Sequence, residues 1–119
     1  MYSEYLGVNY HDTIRSMLKA KRDILPDAVI DSELNIGAMR MILNDSLFVP
    51  LATGRIEMNE ANFATVRNAA LHTLAGILCA SLDSKTRVPE FKEHRRNWNR
   101  IGQKQFQKAR LYIESLPTT

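Results

Sequence analysis

The sequence has few of the residues that cross-link or interrupt a chain. Its 119 residues include one cysteine, five glycines and four prolines. Cys79 has no second cysteine to pair with, and nothing resembles the paired ligand spacing of a metal site. We therefore expect a reducing compartment. A chain of this length buries enough apolar surface to fold as one domain over residues 1–119 without disulfides or metal.

Long hydrophobic runs are also missing. The longest nearly apolar window, Ala69 to Leu82, contains His72 and Thr73 and is shorter than the roughly 20 residues of a membrane span. The first residues include Glu4 and no long apolar stretch, which predicts neither a signal peptide nor a transit peptide. We expect no membrane partner and no secretion.

Catalytic signatures are absent as well. The sequence contains no phosphate-binding glycine loop, nucleophile elbow, His-Glu-x-x-His, calcium loop or Cys-x-x-Cys. His72 and Cys79 are seven residues apart, but no third ligand follows at helical spacing, and a lone cysteine among apolar residues is usually part of a core. The sequence predicts no catalytic residue, no metal and no cofactor, and hence no enzyme.

The pattern that is present is helical. Four segments show helical periodicity, and no stretch alternates with period two for long enough to indicate a sheet. We predict an all-α fold, a small bundle of about four helices with one long central loop. The predicted helices cover about Asp12–Arg22, Asp27–Leu43, Asn59–Leu82 and Glu90–Leu116.

The two middle helices have recognisable start signals. Asp27 follows Pro26 and is predicted to cap the second helix, whose apolar stripe includes Ile30, Leu34 and Met41. Asn59 is predicted to cap the third helix, which is apolar nearly all round and is therefore expected at the centre of the bundle.

The last predicted helix is unusually long. Its 27 residues from Glu90 to Leu116 would span about 40 Å, whereas a compact chain of this size is only about 30 Å across. We expect this helix to extend from the body, bend at Gly102, or lie against another molecule. Trp98 falls on its apolar stripe and is expected in a core or an interface.

The loop from Asn44 to Asn59 is the longest predicted connection. Pro50 and Gly54 break the helical pattern, and several apolar residues are scattered through it. Loops of this length in compact domains tend to be functional or disordered, and this loop is too apolar for simple disorder. It is either a lid over the core or a surface that contacts a partner; the candidate contact residues are Phe48, Val49, Leu51 and Arg55.

The net charge of +3 hides a strong asymmetry. Residues 1–84 contain seven Lys and Arg against ten Asp and Glu, a net charge of −3. Residues 85–119 contain nine Lys and Arg against three Glu, a net charge of +6. Much of the positive charge recurs at every fourth residue of the last predicted helix; the candidate residues are Lys92, Arg95, Arg96, Arg100, Lys104 and Lys108.

Two interpretations of this basic series stay open. It is either a solvated helix face or a surface that meets something acidic. The acidic partner would be a protein surface, nucleic-acid phosphates, or the acidic first half of a neighbouring copy.

Several segments follow one another in a recognisable order. They are Leu25-Pro26-Asp27-Ala28-Val29-Ile30-Asp31-Ser32, the helix through Ala38-Met39, the Val49-Pro50 loop, the Ala-rich central helix ending Leu78-Cys79-Ala80-Ser81-Leu82, and the basic last helix. In order and spacing, these segments resemble the small head-tail connector (adaptor) proteins of tailed bacteriophages. The resemblance covers roughly residues 10–116.

This resemblance implies a structural protein of the virion neck, assembled in the host cytoplasm. It implies a helical homo-oligomeric ring, commonly twelvefold, that lies under the portal, extends the DNA channel and carries stopper or tail proteins. By the same resemblance, the helix from Lys92 to Lys108 would dock onto the portal protein. The loop from Ser46 to Met58 would face a neighbour or the next ring.

The alternative hypothesis is a nucleic-acid-binding helical module. Lys92, Arg95, Arg96, Arg100 and Lys104 would then contact phosphates, with Trp98 as a stacking group. No compact helix-turn-helix is apparent in the sequence, which counts against this alternative.

Overall fold

A computed structural model describes residues 10–34, 41, 44, 53, 57, 59–84 and 97–116. These residues form four α-helices: α1 (Tyr10–Leu18), α2 (Asp27–Glu33), α3 (Glu60–Ser84) and α4 (Trp98–Glu114). They contain no strand, which confirms the predicted all-α class. No helix in this part of the chain is both long enough and apolar enough to cross a membrane.

Helix α3 is the centre of the bundle, as its apolar composition predicts. The other three helices all pack against it. Asn59 caps its start, because the side-chain oxygen of Asn59 accepts a hydrogen bond from the backbone N–H of Asn62 at 2.8 Å. The main core contains residues of all four helices and of the turn between α1 and α2: Ile14, Leu18, Ala20, Leu25, Ile30, Leu34, Leu74, Ala75, Leu78, Cys79, Leu82 and Trp98.

Helices α3 and α4 cross at very close range. A Cβ atom added at Gly102 would lie 2.8 Å from the Cβ of Cys79 and 3.3 Å from the carbonyl oxygen of Gly76. A Cβ added at Gly76 would meet the ring of Phe106 at 2.6 Å. Gly102 therefore allows the two backbones to approach, and Gly76 makes room for the ring of Phe106. Helix α4 continues through Gly102.

The last helix begins at Trp98, and the prediction of one helix from Glu90 to Leu116 is wrong in its extent. Asn97 has non-helical dihedral angles (φ −82°, ψ 81°), and its side chain accepts the backbone N–H of Arg100 at 3.0 Å. The 17 residues of α4 span about 25 Å. The length mismatch that required this helix to extend from the body is therefore no longer an indication of a partner.

Helix α1 ends earlier than predicted, at Leu18 instead of Arg22. Lys19 adopts a positive φ of 53°. The backbone N–H of Ala20 then donates to the carbonyl of Arg15 at 2.9 Å, and that of Lys19 donates to Ser16 at 3.2 Å. This is a Schellman ending with lysine in the position that glycine usually occupies.

Helix α2 also ends earlier than predicted, at Glu33 instead of Leu43. Leu34 leaves the helical region (φ −100°, ψ 73°) and turns its side chain into the core. Of the predicted apolar stripe, Ile30 and Leu34 are buried, whereas Met41 is exposed. Burial of Leu34 against α3 and the turn thus overrides the helical periodicity of the local sequence.

The acidic residues of α2 bind other helices. Asp27 was predicted to cap α2, but its carboxylate accepts a hydrogen bond from Arg15 of α1, and no side chain caps this helix. Asp31 accepts the hydroxyl of Tyr10 at 2.6 Å. Glu33 accepts the hydroxyl of Ser81 on α3. Helix α2 is therefore tied to α1 and α3 by its charged side.

Candidate functional site

The strongest candidate site in the described residues is a basic row on α4, formed by Arg100, Lys104 and Lys108. All three side chains are exposed. They are four residues apart, so they follow one side of the helix over about 12 Å. The opposite side of α4 is buried against the body and contains Trp98, Gly102, Gln105 and Ala109.

The packing of α4 explains why the basic row faces outwards. Trp98, Gly102, Gln105 and Ala109 recur at intervals of three and four residues and form the stripe that faces α3. A charged side chain on that stripe would lose its hydration without a partner, which costs several kcal/mol by order of magnitude. The lysines and arginines are therefore confined to the remaining surface of the helix.

The basic row forms no ion pair in the described part of the chain. The ion pairs found there join His11 to Asp31, Arg15 to Asp12 and Asp27, and Arg22 to Asp12. None of them includes Arg100, Lys104 or Lys108. The cations of α4 therefore remain available for an external acidic group.

Arg15 shows the opposite use of a positive charge. Its side chain is only 7% exposed, donates to the carbonyl of Leu25 at 3.3 Å, and donates to the carboxylates of Asp12 and Asp27. The hydrogen bond from Arg15 lowers the pKa of Asp27 below its ordinary value. We call Arg15 with Asp12 and Asp27 the arginine clamp; it joins α1, the following turn and the start of α2.

Asp31 forms a second tie beside the arginine clamp. Its partial burial raises the pKa of its carboxyl group, but the hydrogen bonds from Tyr10 and His11 outweigh that effect. The pKa of Asp31 is therefore lower than its ordinary value. The carboxylates of Asp27 and Asp31 are thus already bound inside the chain, which leaves fewer acidic groups on this half for the basic row of a neighbouring copy.

The remaining predicted contact residues lie outside the described residues. These are Lys92, Arg95 and Arg96 of the basic series and Phe48, Val49, Leu51 and Arg55 of the central loop. The prediction for them stays a prediction.

Trp98, which was expected in a core or an interface, and Cys79, which was expected in a core, both lie in the core. Trp98 is 1% exposed and belongs to the main core, so it has no free ring face on which a nucleic-acid base could stack. Cys79 is fully buried against the α3–α4 crossing. No group of three or more His, Cys, Asp or Glu suited to a metal ion occurs among the described residues.

His72 has a structural environment that sequence reasoning missed. Its Nδ1 lies 2.6 Å from the side-chain oxygen of Gln105, whose amide nitrogen donates to the carbonyl of Met17 at 3.2 Å. Because that amide nitrogen is a donor, the Gln105 oxygen is the acceptor, and Nδ1 of His72 carries the hydrogen. This chain of hydrogen bonds links α3, α4 and α1. The only local signal was a polar glutamine on the buried stripe of α4.

Two grooves meet at His72 and Lys108. One, of about 560 Å³, lies between α1 and α4; its other lining residues are Asp12, Thr13, Ser16, Met17 and Lys19. The other, of about 490 Å³, runs towards the end of α4; its lining residues are His72, Lys108, Leu111, Tyr112 and Ser115. We call the second one the Leu111 groove. It borders the basic row directly, because Lys108 belongs to both.

No family model matches this chain, and no curated protein or solved structure matches it either.

Proposed function

We propose that this protein is a structural assembly subunit that docks onto an acidic protein surface through the basic row of α4. The observation that carries the proposal is that Arg100, Lys104 and Lys108 are exposed and have no ion-pair partner among the described residues. Like charges four residues apart repel by a few tenths of a kcal/mol each in an isolated helix. A complementary acidic surface would remove that repulsion and speed the encounter.

The kind of assembly that we propose is taken from the resemblance to the head-tail connector proteins. The protein would form a ring in the virion neck, contact the portal protein on one side and stopper or tail proteins on the other, and surround the DNA channel. The small all-α fold is in keeping with this role. The basic row would meet the portal or another acidic surface of the neck.

The alternative, a nucleic-acid-binding module, rests on the same unpaired cations, which suit phosphates as well as carboxylates. The burial of Trp98 counts against it, because the proposed stacking group is in the core. Phosphate contact by the basic row alone would be sequence-independent and strongly weakened by salt.

The assembly is tested by the mass of the full chain in solution. We expect sedimentation velocity at low and high salt, with and without a 30-base-pair DNA duplex, to give one closed oligomer whose mass does not change with DNA. A chain that stays monomeric over all protein concentrations and both salt conditions would overturn the ring.

The role of the basic row is tested separately with polyglutamate as an acidic polypeptide probe. We expect Lys104→Glu to weaken polyglutamate binding by about fivefold or more. The matched control is Arg110→Glu, the same charge reversal at an exposed residue away from the basic row. Equal losses in both variants would show that no particular face is used. Tighter binding to the DNA duplex, with a steep dependence on salt, would favour the nucleic-acid alternative.

A further inference from the structure

The basic row continues into an exposed apolar residue. Arg100, Lys104, Lys108 and Leu111 are spaced i, i+4, i+8 and i+11, so Leu111 lies almost directly above Arg100 after three turns of α4. The distance along the helix axis is about 17 Å. Leu111 is 65% exposed, which is unusual for a large apolar side chain at the end of a charged stripe.

The Leu111 groove lies beside this residue and has a fixed floor. The ring of His72 is stacked on that of Tyr112, with 5.6 Å between the centroids and 19° between the planes. Gln105 holds His72 in place through the 2.6 Å contact with Nδ1. A groove that is already formed costs little conformational entropy to occupy.

The size and lining of the Leu111 groove suit an apolar side chain next to an anion. Its volume of about 490 Å³ lies within the range of about 300–1,000 Å³ typical of ligand sites. Leu111 and Tyr112 provide apolar and aromatic surface, and Lys108 provides a positive charge at the edge. An occupant with a bulky apolar group for the groove, followed by carboxylates for the basic row, matches the order of these features along α4.

We propose that the occupant is an amphipathic helix of a partner protein, with acidic residues facing the basic row and one large apolar side chain in the Leu111 groove. This inference rests on the proposed function and adds the chemistry of the partner. A helix is favoured because acidic residues four apart repeat with the same pitch as the three cations of α4. The described residues contain no strand edge to which an extended segment could be added.

The partner is a different protein instead of a second copy of the acidic half. The carboxylates of Asp27, Asp31 and Glu33, which are the acidic residues of α2, all accept hydrogen bonds from α1 or α3. Their negative charge is therefore partly compensated inside the chain, which weakens their attraction for the basic row of a neighbouring copy. The carboxylates of a separate acidic helix are not compensated in this way.

Two synthetic helical peptides of identical composition test the inference. The first has Glu at three positions spaced four apart and Leu three residues beyond the last Glu. In the second, the same Leu is moved to the opposite side of the helix. Fluorescence anisotropy with the full chain should give about tenfold tighter binding of the first peptide, the gain expected for burying one leucine side chain.

Two matched pairs of variants separate the groove from the row. Leu111→Ser should reduce the preference between the peptides to less than about twofold, whereas Ile113→Ser, at another exposed apolar residue of α4, should preserve it. Lys104→Glu should weaken both peptides by about fivefold or more, and Arg110→Glu should weaken them much less. All four positions are exposed, and thermal melting checks that each variant is folded.

The outcomes distinguish the two proposals. Equal affinity of the wild-type chain for the two peptides, or equal effects of Leu111→Ser and Ile113→Ser, would overturn the groove inference and leave docking by the basic row intact. If Lys104→Glu and Arg110→Glu weaken peptide binding equally, the proposal that the basic row is the docking surface is overturned. A loss of oligomer mass in Leu111→Ser without any peptide preference would overturn the inference and identify a second copy as the occupant.

Discussion

Helices α1 and α2 are held to each other and to α3 partly by charged and polar side chains. Helices α3 and α4 are held mainly by a close crossing of small and apolar residues, with one buried hydrogen bond between His72 and Gln105. In the first region, Arg15 is buried and its charge is used inside the fold. In the second region, Gly76, Gly102 and Trp98 supply the contact, and the charges of α4 are left facing outwards. The same chain therefore uses positive charge for cohesion at one end and exposes it at the other.

This difference shows why net charge alone is a poor guide to a binding surface. The first half of the chain has a charge of −3, yet the carboxylates of α2 are already bound by Arg15, Tyr10, His11 and Ser81. Only charged side chains that are not paired within the fold are available to bind another molecule. On α4 these side chains form the basic row.

The largest expected effect is at the α3–α4 crossing. Gly102→Val would place atoms within 3 Å of the Cβ of Cys79 and close to the backbone of Gly76. We expect a loss of about 3 kcal/mol in the free energy of unfolding, at the upper end for overpacking, because backbone atoms cannot move aside easily. Urea unfolding measures it. Gln103→Val is the control for the effect of valine on helix stability, since Gln103 is exposed. If both variants lose a similar free energy of unfolding, the close approach of α3 and α4 at Gly102 does not cause the loss.

A smaller loss is expected at the arginine clamp. Arg15→Met preserves much of the apolar volume but removes the bonds to Asp12, Asp27 and the carbonyl of Leu25. We expect a loss of about 2 kcal/mol, typical of hydrogen bonds to a charged group. Arg22→Met removes a charge from an exposed side chain 3.7 Å from Asp12 and should cost less than about 0.5 kcal/mol. If the two variants are equally stable, the clamp contributes nothing.

The stability contributed by the first region should also depend on pH in acid solution. In the folded protein, the hydrogen bond from Arg15 lowers the pKa of Asp27 below its ordinary value of 3.8. The ionised Asp27 carboxylate therefore stabilises the fold fully at pH values above 3.8. This stabilisation is lost as pH falls through the lower, folded pKa. We expect Asp27→Asn to flatten the decline of the melting temperature below about pH 4. Asp23→Asn, at an exposed residue of the nearby turn, should preserve the wild-type profile; a profile unchanged by Asp27→Asn would contradict the tie.

The smallest expected effect is a gain at the end of α1. Lys19 has a φ of 53°, which is strained for a residue with a Cβ atom and unstrained for glycine. We expect Lys19→Gly to raise the free energy of unfolding by up to about 1 kcal/mol. Lys21→Gly, two residues further along the turn, is the comparison and should not stabilise the chain. A destabilised Lys19→Gly would show that the side chain of Lys19 contributes more than its backbone strain costs.

Much of the fold could be predicted from the sequence because its signals are local. The apolar surface all round α3 indicated the central helix, and Asn59 indicated its start. Trp98 and Cys79 lie in the core as expected. The ends of α1 and α2 and the start of α4 were wrong. Lys19 ends α1 with a positive φ that no glycine signals in the sequence. Leu34 leaves the helical region to enter the core, and Asn97 interrupts the helical pattern of the basic series.

The candidate site was only partly predictable. The fourfold spacing of Arg100, Lys104 and Lys108 is visible in the sequence, and it places them on one side of any helix that includes them. The absence of an ion pair between them and the other described residues is not visible in the sequence, because it depends on which carboxylates the fold brings near. The Leu111 groove was missed for a similar reason: His72 and Tyr112 are 40 positions apart, and only the packing of α4 on α3 brings their rings together.

The sequence by itself determined the all-α class, the central position of α3 and the repeating spacing of the cations, since each follows from periodicity within a few turns of chain. The tertiary structure decided which charged side chains are paired inside the fold and which face outwards without an ion pair. The charge of Arg15 is compensated because Asp12 and the start of α2 lie beside it. Gly102 is closely packed because α3 crosses α4 there. Arg100, Lys104 and Lys108 remain available because the buried stripe of α4 turns them away from the body.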